Sequence, residues 1–259
     1  MNVLREIYYT MFRVILRADC WLSDKLIMRG WQEAGIPPAM LRYRVSESLS
    51  ISKFETIGMG CAAKAAGVFA ESGVSFSKGA KILDFGCGCG RIFKWMRELF
   101  PECRFYGADT DGQAIEWCIS QYPGCAFERL APAPPTAYAN GAFAAIYCFS
   151  VFTHLDELMQ DQWLFELRRV LGDDGALLLT FHGKNAAREL PTQMLQQLES
   201  EGVLHVRSRK HLGLMPDWYH TTWHTKSYIT ERLSRYFDDV RIYEIMDGAQ
   251  DIAIATCPK

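Results

Sequence analysis

The 259-residue chain has no long run of basic residues, and its formal net charge is only −2. A nucleic-acid surface needs a clustered positive field, so the sequence argues against that as the main activity. No apolar run approaches the ~18 residues needed to span a bilayer, and no integral membrane segment is expected. A disulfide framework is lacking too. The nine cysteines are an odd, scattered set with no secretory leader of basic, apolar and small-residue type before them. Reduced thiols in a cytoplasmic protein are the expectation. No internal repeat is present, and low complexity is confined to "APAPP" at 131–135, which reads as a loop. What the chain does have is 49% apolar against 22% charged residues, enough to fill a core.

Residues 1–35 read as helix, because Leu4, Ile7, Tyr8, Met11, Ile15 and Leu22 recur at helical spacing. Such a stripe suits a helix packed on the core or over a pocket, a dimer helix, or a membrane-surface helix, and the few basic residues favour the first. "GIPPAM" at 35–40 ends the helix, since proline cannot continue it. From residue 80, strand patterns at 81–85, 103–108, 125–128, 143–149, 176–181, 239–245 and 251–256 alternate with helical patterns at 91–100, 112–121, 157–171 and 226–236. The alternation predicts an α/β fold with a mostly parallel sheet, helices on both faces and an N-terminal helical extension. "KILDF" and "AIYCF" are nearly continuous apolar runs, as strands covered on both faces should be. "LGDDGALLLT" reads as a turn followed by such a strand.

"DFGCGCG" at 84–90 falls between the first strand and the first helix of that alternation. Glycine permits positive φ and lets a ligand approach bare backbone. In open α/β sheets ligands bind at the carboxyl ends of strands near the switch point. The loop therefore cradles a small ligand, either a dinucleotide or S-adenosylmethionine. The dinucleotide pattern wants a third glycine or alanine where this chain has Arg91. Asp84 beside the loop would repel a pyrophosphate and suits an ammonium. Asp109 lies roughly twenty residues further on, where a carboxylate can accept ribose hydroxyls. Cys87 and Cys89 read as small side chains packed beside the loop. No second cysteine pair completes a metal site of four ligands, and no metal is expected.

"ILDFGCGCGR" followed by "YGADTD" resembles the class I S-adenosylmethionine-dependent methyltransferases. "IPPAMLRYRV", "GADTDGQAIEWC", "YCFSVFTHL", "ELRRVLGDDGALLLTFHG" and "QDIAIA" resemble a bacterial subgroup associated with glycan and natural-product pathways. The resemblance runs from about residue 36 to the end, with "DDG" at 173–175 where the subgroup often has "PGG". It implies a Rossmann-like seven-stranded sheet with the last strand antiparallel, and S-adenosylmethionine as cofactor. It implies Asp84 by the methionine amino group, and Gly86 and Gly88 against the methionine portion and ribose. Asp109 would take the ribose hydroxyls and Thr110 the adenine edge. Residues Glu128–Leu130 would border adenine, and Phe149 and Ser150 would face the methionine end. The expected division is an extension over 1–60, lying as a lid, and a methyltransferase domain over 61–259.

The acceptor side is less specific. "LMPDWYHTTWHTKSYI" at 214–229 is rich in aromatic residues and histidine. Trp218, Tyr219 and Trp223 could stack on a sugar or an aromatic ring. His220 and His224, four apart, would share a helical face, but no acidic residue completes a metal set. Transfer from a sulfonium to a hydroxyl needs alignment and removal of one proton. His154 in "SVFTHLDE" and His182 in "TFHG" are the candidate bases. His154 sits in a post-strand segment similar to one that carries a catalytic His in plant-type O-methyltransferases. The expected activity is methylation of a small-molecule or glycan acceptor, with oxygen favoured and a homodimer possible. The alternatives are an NAD-dependent oxidoreductase and a non-catalytic cofactor-binding module.

Overall fold

The computed structural model of the chain describes residues 3–27, 35–216, 219–245 and 250–259. Three helices precede the first strand: α1 (Val3–Ile27), α2 (Ala39–Ser46) and α3 (Ile51–Glu71). An alternating α/β body follows. It comprises β1 (Lys81–Phe85), α4 (Phe93–Leu99), β2 (Arg104–Asp109), α5 (Gly112–Gln121), β3 (Ala126–Arg129), β4 (Phe143–Cys148), α6 (Glu157–Val170) and β5 (Leu171–Phe181). Then come α7 (Lys184–Ala187), α8 (Thr192–Glu201), β6 (Val203–Val206), β7 (Thr221–His224), α9 (Lys226–Ser234), β8 (Phe237–Tyr243) and β9 (Asp251–Pro258).

Seven strands form one sheet in the order β3-β2-β1-β4-β5-β9-β8. β1 to β5 run parallel, and β9 is antiparallel to both β5 and β8. The order reverses between β1 and β4, which makes the crevice at their carboxyl ends the natural ligand site.

Successive strand side chains point to opposite faces, and both faces are dry. On one face Leu83, Phe85, Ile146, Cys148, Leu177, Leu179 and Phe181 meet Trp163, Leu164 and Leu167 of α6 and Ile229 and Leu233 of α9. On the other, Ile82, Ala145, Tyr147, Ala176, Leu178, Ile252 and Ile254 meet Ala62, Ala65, Val68 and Phe69 of α3 and Phe93 and Met96 of α4. Full burial of each such Leu, Ile or Phe stabilises by about 1.5–3 kcal/mol, so this double layer fixes the sheet.

Three sequence expectations need correction. α3 was not expected as a helix, and the expected division at 60/61 falls inside it. Its C-terminal half packs on the sheet, so the extension and the body share one helix. The "DDG" at 173–175 is not a turn before a strand. It lies within β5 as an irregularity, where pairing passes from Phe143–Leu171 to Ala145–Ala176. Residues 214–229 are not helical at the histidines, because β7 pairs antiparallel with β6 in a separate two-stranded sheet. His220 and His224 are therefore joined by extended chain, about 13 Å long for four residues, and cannot share one metal ion.

The N-terminal stripe is also turned the other way. Leu4, Ile7, Tyr8, Met11, Ile15 and Leu22 are exposed, while Tyr9 is buried and Leu16 and Cys20 pack with Ala39, Tyr43 and Leu214. Buried Arg42 fastens this extension together. Its guanidinium donates to the carbonyls of Leu49 and Pro37 and to Ser23 Oγ.

Candidate active site

A cavity with a volume of about 1410 Å³ opens over the carboxyl ends of β1, β2 and β4. Typical small-ligand pockets are about 300–1,000 Å³, so there is room for two ligands side by side. Asp84, Gly86, Gly88, Asp109, Thr110, Phe149, Ser150, His154 and His182 all line it.

Its floor is the turn after β1. Gly86 and Gly88 have φ of 79° and 51°, the left-handed region. A Cβ on Gly88 would lie 2.5 Å from Val45 Cγ1, and one on Gly86 would overlap Val151. The bare backbone is thus required both by the turn and by the chain pressed against it. Cys87 and Cys89 are buried, with thiols aimed at the carbonyls of Gly88 and Leu41. Burial pushes both thiols well above the ordinary cysteine range, so they are packing groups rather than nucleophiles. No cluster of metal-ligating side chains occurs among the described residues.

Two carboxyls flank the turn. Asp84 is buried at the end of β1 and accepts from Tyr147 Oη at 3.0 Å. Burial pushes it up to about 8, opposed by the Tyr147 hydrogen bond and assisted by the nearby Asp109 charge. Asp109 ends β2. Its Oδ2 accepts from Gly88 N at 2.7 Å and its Oδ1 from Asp111 N at 2.8 Å. Burial raises its pKa, and these backbone amides pull it back down. A carboxylate has room for further donors beside one amide per oxygen.

Asp111 caps α5 through Gln113 N and Ala114 N and pairs with Arg44 Nη1 at 2.7 Å. Arg44 is thereby tied to the rim along with the Gln113 side chain and the Leu214 carbonyl. Arg91 also lines the cavity, and among the described residues no ion pair or hydrogen bond holds its side chain. Sequence reasoning used Arg91 only to weigh against a dinucleotide.

Ser150 follows β4 with φ of 59°, which is strained for a residue bearing a Cβ. Its N–H donates to Thr180 Oγ1 at 2.8 Å, and Gln250 bonds both Ser150 Oγ and Thr180 Oγ1. This network was not foreseen, because Gln250 reaches the site from a distant part of the chain.

Opposite the turn, His154 and His182 stand with ring centroids 6.5 Å apart. His154 Nδ1 donates to the His220 carbonyl at 2.6 Å, and His182 Nδ1 to the Thr222 carbonyl at 3.1 Å. Those carbonyls can only accept, so each neutral ring carries its proton on Nδ1 and keeps the Nε2 lone pair. Burial pushes His154 down to about 4 and lowers His182 as well. Tyr219 stacks on His154 at 3.8 Å. Tyr219, His211 and His220 line the cavity. Trp223 instead donates to the Ala186 carbonyl, packs beneath with Leu198 and Leu204, and does not face it. His224 is buried against Gln160. Trp218 lies outside the described residues. Of the expected adenine border, Arg129 and Leu130 line the cavity and Glu128 does not.

Residues 82–175, which hold the turn, both carboxyls, Ser150 and His154, match a family model described as a methyltransferase domain. That segment therefore carries the signature of a methyltransferase domain, and solved methyltransferases share the fold around it. A S-adenosylmethionine-dependent methyltransferase from Methanosarcina mazei has the same fold at 19% identity and a TM-score of 0.54, over 70% of this chain and 93% of that one. Magnesium protoporphyrin IX methyltransferase from Synechocystis, solved with bound SAH, matches at 16% identity and 0.54, over 90% and 99%. The CurJ carbon methyltransferase matches at 13% and 0.57, over 92% and 70%. S-adenosylmethionine is the cofactor named for the Methanosarcina mazei protein. The cradle fits it: bare glycine backbone for close approach, and a buried carboxyl that only a cation would return to its ionised form. That fit disfavours a phosphate-bearing dinucleotide. Among the described residues, no helix is long and apolar enough to cross a membrane.

Proposed function

We propose that the protein O-methylates a small-molecule or glycan acceptor, with His154 or His182 taking the hydroxyl proton. The observation that carries this reading is the pair of imidazoles on the cavity wall, each with Nδ1 engaged by a backbone carbonyl and Nε2 left as a proton acceptor. When bound, S-adenosylmethionine supplies an electrophilic methyl on a sulfonium. Asp84 would hold its ammonium, Gly86 and Gly88 the methionine and ribose edge, Asp109 the ribose hydroxyls and Thr110 the adenine side. Phe149 and Ser150 would bound the methionine end. The histidine would take the acceptor hydroxyl's proton on Nε2 as that oxygen is methylated, and since a sulfonium that gives up its methyl is left as a neutral thioether, no acid would be needed. All nine cysteines are unpaired, which supports a reducing, cytoplasmic setting. Mass spectrometry of candidate acceptors incubated with methyl-labelled cofactor tests the reading. Label recovered on nitrogen or carbon instead of oxygen would overturn it.

The Asp84 assignment has a proton signature. With its pKa near 8, the carboxyl is protonated at neutral pH in the free protein, and docking of an ammonium favours the ionised form. Cofactor binding at pH 7 should release close to one proton, and affinity should rise from pH 6 toward 8. In the free protein the carboxyl ionises more easily unfolded, at the ordinary aspartate value of 3.8, than folded at about 8. Its contribution to stability is therefore present below about 4 and lost as the pH rises through 8. Calorimetry in buffers of different ionisation enthalpy measures the proton, and Asp84→Asn should abolish it. Heats that do not depend on the buffer would remove Asp84 from the ammonium site.

Residues 1–60 are proposed as the cover of the cavity. Leu41, Arg44, Val45, Glu47 and Ile57 line it from α2, the following turn and α3. Arg13 and Arg17 of α1 hold the carbonyls of Arg209 and Gly213 in the opposite wall. Removing residues 1–35 should lower turnover more than it lowers the melting temperature. Full activity of the truncated protein would count against a covering role.

A further inference from the structure

α1 presents an exposed apolar face. Of sixteen large hydrophobic side chains exposed among the described residues, ten belong to this one helix: Val3, Leu4, Ile7, Tyr8, Met11, Val14, Ile15, Trp21, Leu22 and Leu26. Soluble proteins rarely expose a contiguous patch of that kind unless something covers it. The residues also fall into a heptad. Leu4, Tyr8, Met11, Ile15, Ala18 and Leu22 alternate at spacings of four and three, forming a seam, and Ile7, Val14 and Trp21 run along one flank. The buried residues Tyr9, Leu16 and Cys20 lie on the other side of the helix, against the fold. The seam is therefore exposed on the side of α1 away from the fold, where another helix can reach it while α1 stays docked.

We propose that α1 pairs antiparallel with α1 of a second copy of this chain, with Val14 on the two-fold axis. One register satisfies every position. It layers Leu4 on Leu22, Tyr8 on Ala18 and Met11 on Ile15, each pair occurring twice by symmetry. The largest seam residue thus meets the smallest. On one flank Val14 meets its own copy and Ile7 meets Trp21. On the other flank the same register sets Arg5 against Asp19, twice. Arg5 is held in place by its Nε bond to Tyr9 Oη at 2.8 Å. A parallel pairing would stack Tyr8 on Tyr8, leave Ala18 facing Ala18 and press Val14 against Asp19, so the sequence selects the antiparallel form. A lipid surface fits less well, since membrane-surface helices are rich in Lys and Arg, and α1 carries Glu6, Asp19 and Asp24 beside its four basic residues.

Sedimentation of the full chain tests the pairing. The parent protein should be a dimer in the micromolar range. Val14→Glu, which sets two carboxylates face to face on the axis, should raise the dimer dissociation constant at least tenfold, with helix content and cofactor affinity unchanged. Asp19→Arg should weaken the dimer, and Asp19→Arg combined with Arg5→Asp should restore it toward the parent value. A monomeric parent overturns the proposal, and a monomer that binds vesicles containing anionic lipid transfers the face to a membrane. A dimer indifferent to Val14→Glu places the interface elsewhere, and failure of the double variant to recover overturns the antiparallel register.

Discussion

Turnover is expected to fall roughly 100- to 10,000-fold when the base histidine is replaced by glutamine, the usual range for loss of general base catalysis. Glutamine retains a polar side chain of similar reach, so melting temperature and cofactor affinity should change little. His154 and His182 differ in what else they hold. His154 is stacked between Tyr219 and the edge of His182, and its Nδ1 bond reaches the connection into β7. His182 directly follows β5 and bonds the carbonyl of Thr222 within β7. Either variant could therefore loosen the two-stranded sheet, and turnover must be compared with melting curves. The pH profile separates chemistry from packing. A base must be neutral to accept a proton, so activity is lost as pH falls through its pKa. With burial holding His154 at about 4, turnover that depends on it should stay level from neutral pH down to about 5 and fail only below. A variant that folds and binds cofactor normally but turns over a hundredfold more slowly identifies the base. If both variants stay within threefold of the parent, alignment alone carries the reaction, as an amine acceptor would allow.

Asp109→Ala should weaken cofactor binding by at least tenfold, about 1.4 kcal/mol, and should also destabilise the free protein. The second effect follows from the two amides that Asp109 holds. Gly88 N and Asp111 N would lose their acceptor, and each buried donor left unpaired costs roughly 1–3 kcal/mol. Since Asp111 in turn caps α5 and grips Arg44, the loss would reach the lid. Asp109→Asn keeps one carbonyl oxygen and should divide the effects, with stability partly kept and ribose recognition impaired. Calorimetric titration and thermal melts on both variants measure the two parts. Unchanged affinity in Asp109→Ala would mean that the carboxyl is only a tie between the two loops.

The sheet was legible in the sequence because its strands are buried on both faces and so appear as apolar runs between glycine-rich turns. The glycine turn and the two carboxyls beside it were legible as lining of one cavity, because bare backbone and buried carboxyls leave few residue choices at fixed spacing. α3 was not, since Gly58, Gly60 and Gly67 lower its apparent helix propensity. At Gly58 the reason is contact: a Cβ there would overlap the carbonyl of Arg91, so glycine lets α3 press against the segment that follows the turn. β6 and β7 were hidden because each has only four residues and their pairing spans a long connection. Periodicity correctly found the stripe on α1 but could not say which way it faces. Tyr9, Leu16 and Cys20 supply a second apolar side, and only tertiary packing chooses between them.

The six histidines all gather at one end of the molecule. His154, His182, His211 and His220 line the cavity. His205 sits edge-on to His220 at 5.3 Å, and His224 donates its backbone N–H to the His182 carbonyl behind the wall. The imidazole region of a magnetic resonance spectrum is thus a private channel to the acceptor end. A compound that shifts several ring signals at once is seated there, whereas one that displaces only the cofactor's adenine should leave most of them still.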